Sequence, residues 1–394
     1  MNKKSNSYEG VALVCPVTIP YQRQSEKQAE WFFGRALATM LKDSGLNKTD
    51  IDGLAISSFT LAPDSAVSLT NYFSMSPRWL ETIPLGGASG VVAMRRAARA
   101  IQCGDAEVVA CVGADTSNPQ SFGKLIDNFS GFSSNAVHPY GAGGPNTVFS
   151  MITRNYMEQF GAEREDFGRI CISQRDNAMA ASRSLFNKPL SMDDYMNARV
   201  IADPLHLFDC VMPCAGAEGY LMMSVDRAKS LALPYVEILA SEELYNAFPE
   251  DDIHFRGGWQ IFRESLYEAA DLGPEDIDLI QTYDDYPVIV MLQLEDLGFC
   301  DKGEASSFIR NTSLNWDGGG LPHNTAGGQL SAGQAGAAGG FIGLVESIKQ
   351  LTVQGLNNAV SNANIALVSG YGMVIYDRCL SSNAAILSRG ENGK

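Results

Sequence analysis

The sequence predicts an α/β fold made of two similar halves, each alternating helices with strands. Three observations predict it. A helix–turn–strand pattern occurs twice, a glycine-rich loop opening a helix occurs twice, and an apolar strand ending in glycine follows each of those helices. Alternation of this kind implies a mainly parallel sheet covered on both faces.

In chain order, residues 41–56 read as the end of an amphipathic helix, a polar turn, Asp50-Ile51-Asp52 and a buried strand. Residues 266–280 repeat that pattern around Asp276-Ile277-Asp278. Gly86-Gly87-Ala88-Ser89-Gly90 opens an Ala-rich helical stretch to about Cys103, and Gly327-Gly328-Gln329-Leu330-Ser331-Ala332-Gly333 opens another to about Leu351. Apolar strands follow at 106–113 and 363–370. Three matches in the same order read as a duplication, and hence as a pseudo-twofold pair of domains. Each half sets a glycine-rich helix start near strand ends, where α/β folds bind ligands. The chain accordingly divides into 1–115, the first part of the N-terminal half; 116–250, an inserted loop or cap region with a return to that half; and 251–394, the C-terminal half. The stretch Pro139-Tyr140-Gly141-Ala142-Gly143-Gly144-Pro145 reads as a loop within the insertion.

Composition narrows the function. Of 394 residues, 45% are hydrophobic and only 19% charged, below the roughly 25% of an average soluble domain. So apolar a surface points to a homodimer. The net charge of -16 argues against nucleic-acid or anionic-membrane binding, although a helix N-terminus still suits an anionic group locally. No apolar run reaches the roughly 18 residues of a membrane span, and Met1 to Ser7 lacks the apolar run of a signal peptide. The eight cysteines form no CxxC pair and the four histidines are scattered, so neither a metal site nor a disulfide framework is expected. A reducing cytoplasm is the simplest compartment.

Gly86-Gly87-Ala88-Ser89-Gly90 has the spacing of neither GxGxxG nor a P-loop. In isolation it reads as close helix packing. In context, residues 86–115 resemble the nucleophile helix and following strand of thiolases. Tyr283-Asp284-Asp285-Tyr286, the run from Leu292 to Cys300, Asn324 to Ser331, and Ile201 to Leu205 are similar to the sterol-carrier-protein-type thiolases. The resemblance covers nearly the whole chain. It implies a thiolase fold, with βαβαβαββ halves in a five-layer αβαβα arrangement, and pairing of two chains through sheet edges.

The departures from that pattern matter for chemistry. A thiolase needs an acyl-carrying cysteine, a histidine that activates it, a second cysteine for proton transfer and an oxyanion hole. Matched motif to motif, the nucleophile position is Gly87, the activating histidine falls on Gln334, the second cysteine on Val368, and the histidine of the His-Asp-Cys-Phe segment on Tyr283. Thiolysis through a cysteine is therefore chemically implausible. The steroid side-chain aldolases of the superfamily also lack the cysteine and are similar in carrying a tyrosine where Tyr283 stands. They typically have a second tyrosine where this chain has Gln334. That likeness implies a carbon–carbon lyase acting on a β-hydroxyacyl-CoA, with a steroid or another bulky acyl group. Coenzyme A enters only as part of the substrate, with no separate cofactor. It also implies a small partner protein with an OB-fold and a zinc ribbon. The alternatives are a non-catalytic acyl-CoA or lipid-binding homologue, and an acyltransferase subunit that borrows its nucleophile.

Retro-aldol cleavage needs a base for the β-hydroxyl, donors for the enolate oxygen and an acid for the enolate carbon. Tyr283, at the carboxyl end of an apolar strand, is the candidate base. With an ordinary pKa of about 10, it must be depressed or act through a relay. Gln334 can donate its amide but cannot shuttle protons. Asp284 and Asp285 beside it could accept a proton but would not lower the Tyr283 pKa; Tyr371, beside the lost second cysteine, is the best remaining proton donor, and Asp284 is a secondary acid–base candidate. Gly87, Asn324, Gly327, Gly328, Tyr286 and His323 are the candidate substrate-binding positions, with Asn324 able to orient a carbonyl.

Overall fold

The computed structural model describes residues 7–118, 121, 123, 130–183, 185–186 and 188–391. Its strands are β1 (Val11–Gln22), β2 (Gly53–Ser57), β3 (Trp79–Thr82), β4 (Val108–Thr116), β5 (Val200–Ala202), β6 (Leu205–His206), β7 (Ala215–Ser224), β8 (Val236–Tyr245), β9 (Leu279–Gln281), β10 (Ile365–Ile375) and β11 (Arg378–Arg389). Nine form one sheet in the order β3-β2-β4-β7-β1-β8-β11-β10-β9, while β5 and β6 pair separately.

The repeat is visible in the pairing. β2 runs parallel to β4, as β9 does to β10. β7 is antiparallel to β4 and β1, as β11 is to β10 and β8. Edge strand β3, parallel to β2, has its counterpart in a single parallel bridge between His323 and Ile280. The halves join where β1 meets β8 over two residue pairs, Ala12 with Glu237 and Leu13 with Val236.

The expectation of a mainly parallel sheet is corrected here, because most neighbouring strands are antiparallel. In each repeat the last strand turns back between the parallel pair and the first strand. β10 and β11 are joined by only Tyr376 and Asp377, a connection too short for the crossover that parallel strands need. By its pairing, β8 opens the second repeat, although it lies within the 116–250 stretch. Its sequence carries neither the Asp-Ile-Asp nor the glycine signal, which begin only downstream.

Strand alternation builds the layers. On β4, Val108, Ala110 and Val112 face one core with Phe32, Phe33 and Met40 of helix Ala29–Ser44, while Val109 and Cys111 face another. That second core also takes Ala366 and Val368 of β10, and it encloses helices Ser89–Cys103 and Ile342–Thr352. Leu367 of β10 points the other way, into a third core with helix Trp259–Ala270. Helix, sheet, paired central helices, sheet and helix thus stack in the αβαβα order that the resemblance implies.

The connection from β4 to β7 carries helices Gly131–Ala136, Gly144–Phe160, Arg164–Ala180 and Met192–Met196. Two of these pack on helix Pro287–Asp296, whose ten residues are all buried. A helix buried all round needs no polar face, and Pro287 in its first turn costs no hydrogen bond.

The central helices approach at backbone distance. A Cβ at Gly90 would land on the Gly340 carbonyl oxygen, and one at Gly340 on that of Gly86. Gly90→Val is therefore expected to lower unfolding free energy by about 2 kcal/mol or more. Gly131→Ala, with nothing within 4 Å, should change it by less than about 0.5 kcal/mol. Urea unfolding checks both.

Candidate active site

A cleft opens where the two repeats bring their glycine turns and strand ends together. Gly86 and Gly87 form one wall, just before helix Ser89–Cys103. Tyr283 and Asp285, which follow β9, form a second. Gln334, Gly336, residues 371–374 of β10 and Cys379 of β11 complete it, with Phe59 and Pro145 at the margin. Of the residues singled out from sequence, Gly87, Tyr283, Gln334 and Tyr371 therefore meet in one place.

Gly87 has no room for a side chain. A Cβ there would fall within the Tyr283 ring and against the Tyr371 carbonyl oxygen. Tyr283 is held through its backbone: its N–H donates to Gln293 Oε1 at 3.2 Å, and its carbonyl accepts from Gln293 Nε2 at 2.7 Å. The Ser369 hydroxyl donates to the same Oε1 at 2.7 Å. One buried amide on helix Pro287–Asp296 thus fixes the strand end, leaving the ring to fill the space over Gly87.

The Tyr283 ring and the Asp285 carboxylate line the same cleft, and each acts on the ionisation of the other. Burial, then the Asp285 charge, pushes its ionisation well above the usual tyrosine range. Asp285 also accepts from Gln334 Nε2 at 2.5 Å. Burial raises its pKa to about 7, with the Tyr283 phenol opposing the rise, the Asp284 charge adding to it and the Gln334 hydrogen bond opposing it. Asp285, which the sequence offered beside Asp284 only as a possible proton acceptor, thus joins the cleft. The doubled Asp was visible, but which of two neighbouring carboxylates faces inward depends on a backbone turn that sequence does not specify.

Asp284 turns away. It accepts from the Gln329 and Leu330 N–H groups at 3.0 and 3.2 Å, capping the short helix Gly328–Ala332. Burial raises its pKa to about 6 against these bonds. A Cβ at Gly328 (φ +53°) would strike this carboxylate, and one at Gly327 (φ +89°) would strike Ala178. The structure therefore places both glycines at packing contacts. Asn324 accepts from Thr282 N–H at 2.9 Å, and its buried Nδ2 has no hydrogen-bond partner among the described residues. His323 shares a 2.7 Å bond with the Thr282 hydroxyl, and complete burial lowers its pKa to about 3, so it is neutral. Tyr286 donates to Asn146 Oδ1 at 2.6 Å and stacks on Phe149 at 4.4 Å. None of these residues lines the cleft wall.

The Tyr371 backbone borders the cleft, but its hydroxyl is committed elsewhere. It accepts from Cys379 N–H at 3.1 Å and shares a 2.6 Å bond with His254 Nδ1. Cys379 is a cleft residue with no sequence signal, because only the hairpin brings it there. Burial and the Asp285 charge raise its thiol well above the usual range, so it stays protonated. Asp115 holds two margins together. It accepts from the Phe59 and Thr60 N–H groups at 2.9 and 2.7 Å and from Ala337 N–H at 2.7 Å.

Known proteins resemble the chain in the same terms. Residues 249–389 match the thiolase C-terminal domain-like family. A steroid side-chain-cleaving aldolase of Thermomonospora curvata is 29% identical over 86% of this chain and 89% of its own. The 17-hydroxy-3-oxo-4-pregnene-20-carboxyl-CoA lyase of Mycobacterium tuberculosis is 30% identical over 86% and 90%. The solved Ltp2-ChsH2(DUF35) aldolase superposes with a TM-score of 0.81 at 27% identity, covering 96% of this chain and 98% of that one.

The overlap of a residue-87 side chain with the Tyr283 ring has a measurable consequence. Gly87→Ala is expected to cost about 1–3 kcal/mol. Adding Tyr283→Ala should recover part of it, giving a nonzero coupling in a double-mutant cycle. Strict additivity would refute the steric pairing.

Proposed function

This chain belongs to the thiolase superfamily, in the family that includes the steroid side-chain-cleaving aldolases, and on that footing we propose that it is a carbon–carbon lyase. Its substrate is a β-hydroxyacyl-CoA thioester, which it cleaves by retro-aldol chemistry, with a steroid or similarly bulky group beyond the β-carbon. The observation that carries this reading is the Tyr283 ring standing where a nucleophile on residue 87 would be. Among the described residues, the thiol on the cleft wall is that of Cys379, held protonated, and so a poor group to start covalent acyl transfer. Non-covalent proton transfer does have its groups.

In the reaction, the β-hydroxyl loses its proton, the Cα–Cβ bond breaks and its electron pair enters the thioester as an enolate. The helix Ser89–Cys103 begins beside Gly86 and Gly87, so its positive end favours the developing enolate oxygen. Tyr283 meets the substrate hydroxyl, and Gln334 keeps the neighbouring carboxylate in place. An apolar annex of about 150 Å³, lined by Val137, Val148, Met151 and Ile375, shares Pro145 and Val374 with the cleft. It suits the bulky part of the acyl chain.

The assay is product analysis after incubation with a panel of hydroxyacyl-CoAs. A shortened acyl-CoA and a ketone or aldehyde are expected, with no acyl adduct on the intact protein by mass spectrometry. Tyr283→Phe should remove most of this activity with folding intact. Turnover within about threefold of wild type at saturating substrate would exclude it from the proton path, and binding without turnover would favour the non-catalytic reading.

The same reading includes a homodimer and a second polypeptide. Among the described residues, β3 pairs only with β2, leaving its other edge open to a second copy. Two chain masses are expected by light scattering at micromolar concentration, and a monomer would overturn this. The partner is a small protein with an OB-fold and a zinc ribbon, supported by the two-protein name of the Ltp2-ChsH2(DUF35) aldolase. Co-expression should raise activity, and full activity of the single chain, unchanged by the partner, would count against it.

A further inference from the structure

We propose that Asp285 is the terminal proton acceptor and donor of the reaction, reached through the Tyr283 hydroxyl and oriented by Gln334. The inference rests on the lyase reading and names the base that reading requires. Its ground is geometric. The Asp285 carboxylate lines the cleft with the Tyr283 ring, two residues along the same turn, and takes the Gln334 amide at 2.5 Å. Among the described residues the ionisable groups acting on it are Tyr283, Tyr286, Asp284, Cys210 and Cys379, none of them a cation.

Tyr283 cannot be a free phenolate, because burial and the adjacent carboxylate oppose its ionisation. It can pass a proton along. As the substrate hydroxyl gives its proton to the Tyr283 oxygen, the phenol gives its own to Asp285. The β-carbon becomes a carbonyl, the Cα–Cβ pair moves into the thioester enolate, and Asp285 holds one proton. Returning that proton through Tyr283 to the α-carbon yields the shortened acyl-CoA and restores the carboxylate. No oxidant, reductant or external base is consumed.

Asp285 is suited to both directions because its pKa of about 7 matches the working pH. The sign follows. The carboxylate must be ionised at the start, so kcat/KM should fall as pH drops through about 7. Stability runs the opposite way. A carboxyl whose pKa is raised on folding favours the folded state below its unfolded value and loses that advantage as pH rises through its folded value.

The test compares wild type, Asp285→Asn and Asp285→Glu from about pH 5 to pH 9, using whichever hydroxyacyl-CoA wild type cleaves. Asp285→Asn should lower kcat by about 100-fold or more, leave KM within about threefold and abolish the limb near neutral pH. Its thermal stability at alkaline pH should equal or exceed that of wild type, which separates a lost base from a broken fold. Asp285→Glu should restore part of kcat and a displaced limb. In the Tyr283→Phe/Asp285→Asn pair, the losses should not add, because one relay is broken only once. Wild type that cleaves, with Asp285→Asn within threefold of it and an unchanged pH profile, would overturn the assignment and leave the lyase reading standing. No cleavage by wild type on the whole panel would remove both. If Asp285→Asn does not fold, Asp285→Glu decides: wild-type kcat with an unmoved limb overturns the proposal.

Discussion

The close approach of two glycine turns, one from each repeat, is the constraint on which the rest of the structure depends. A methyl group on Gly90 would meet the Gly340 carbonyl oxygen, and one on Gly340 would meet that of Gly86. Gly113 repeats the theme from the sheet side, where a Cβ would press on Phe341 and Ala338. Separating the central helices by a side chain would open the core that both half-sheets share, and the cleft would lose its register. Packing of this density tolerates little extra volume. Asp115 adds a polar tie across the same seam, joining the Phe59 turn of the first repeat to Ala337 of the second.

Neighbouring carboxylates serve opposite ends here. Asp284 spends its oxygens on backbone N–H groups and so anchors a loop, whereas Asp285 keeps company with a phenol and an amide at the cleft. Burial raises both, but only Asp285 is placed to exchange a proton with anything in the cleft. The Asp284 charge makes Asp285 harder to ionise, and a neighbouring like charge is a recurrent way of tuning proton affinity.

The duplication was legible in the sequence because it rests on short contiguous patterns, while the five layers and the meeting of Gly87 with Tyr283 and Gln334 followed from the resemblance to thiolases. β7, β8 and β11 carried no comparable mark. They are strands that turn back to pair antiparallel, and only the closed sheet shows where they lie. Gly327 and Gly328 read as a ligand loop from composition, yet their neighbours are Ala178 and Asp284. Tyr371 was legible as a residue near the lost cysteine, but not the direction of its hydroxyl, which depends on His254 more than a hundred positions away. Asp285 was ranked behind Asp284 for a related reason: adjacent residues on a turn face different ways, and no local pattern says which.

The space shared by residue 87 and the Tyr283 ring also has a historical consequence. In a thiolase-like ancestor with a cysteine at that position, a tyrosine at 283 had nowhere to go. The cysteine therefore had to be lost before, or together with, the arrival of the ring. Once the ring settled, regaining the cysteine required moving the ring first, and any intermediate with both would be strained. The order of the two substitutions is thus set by volume, and a single-step reversal carries a strain cost.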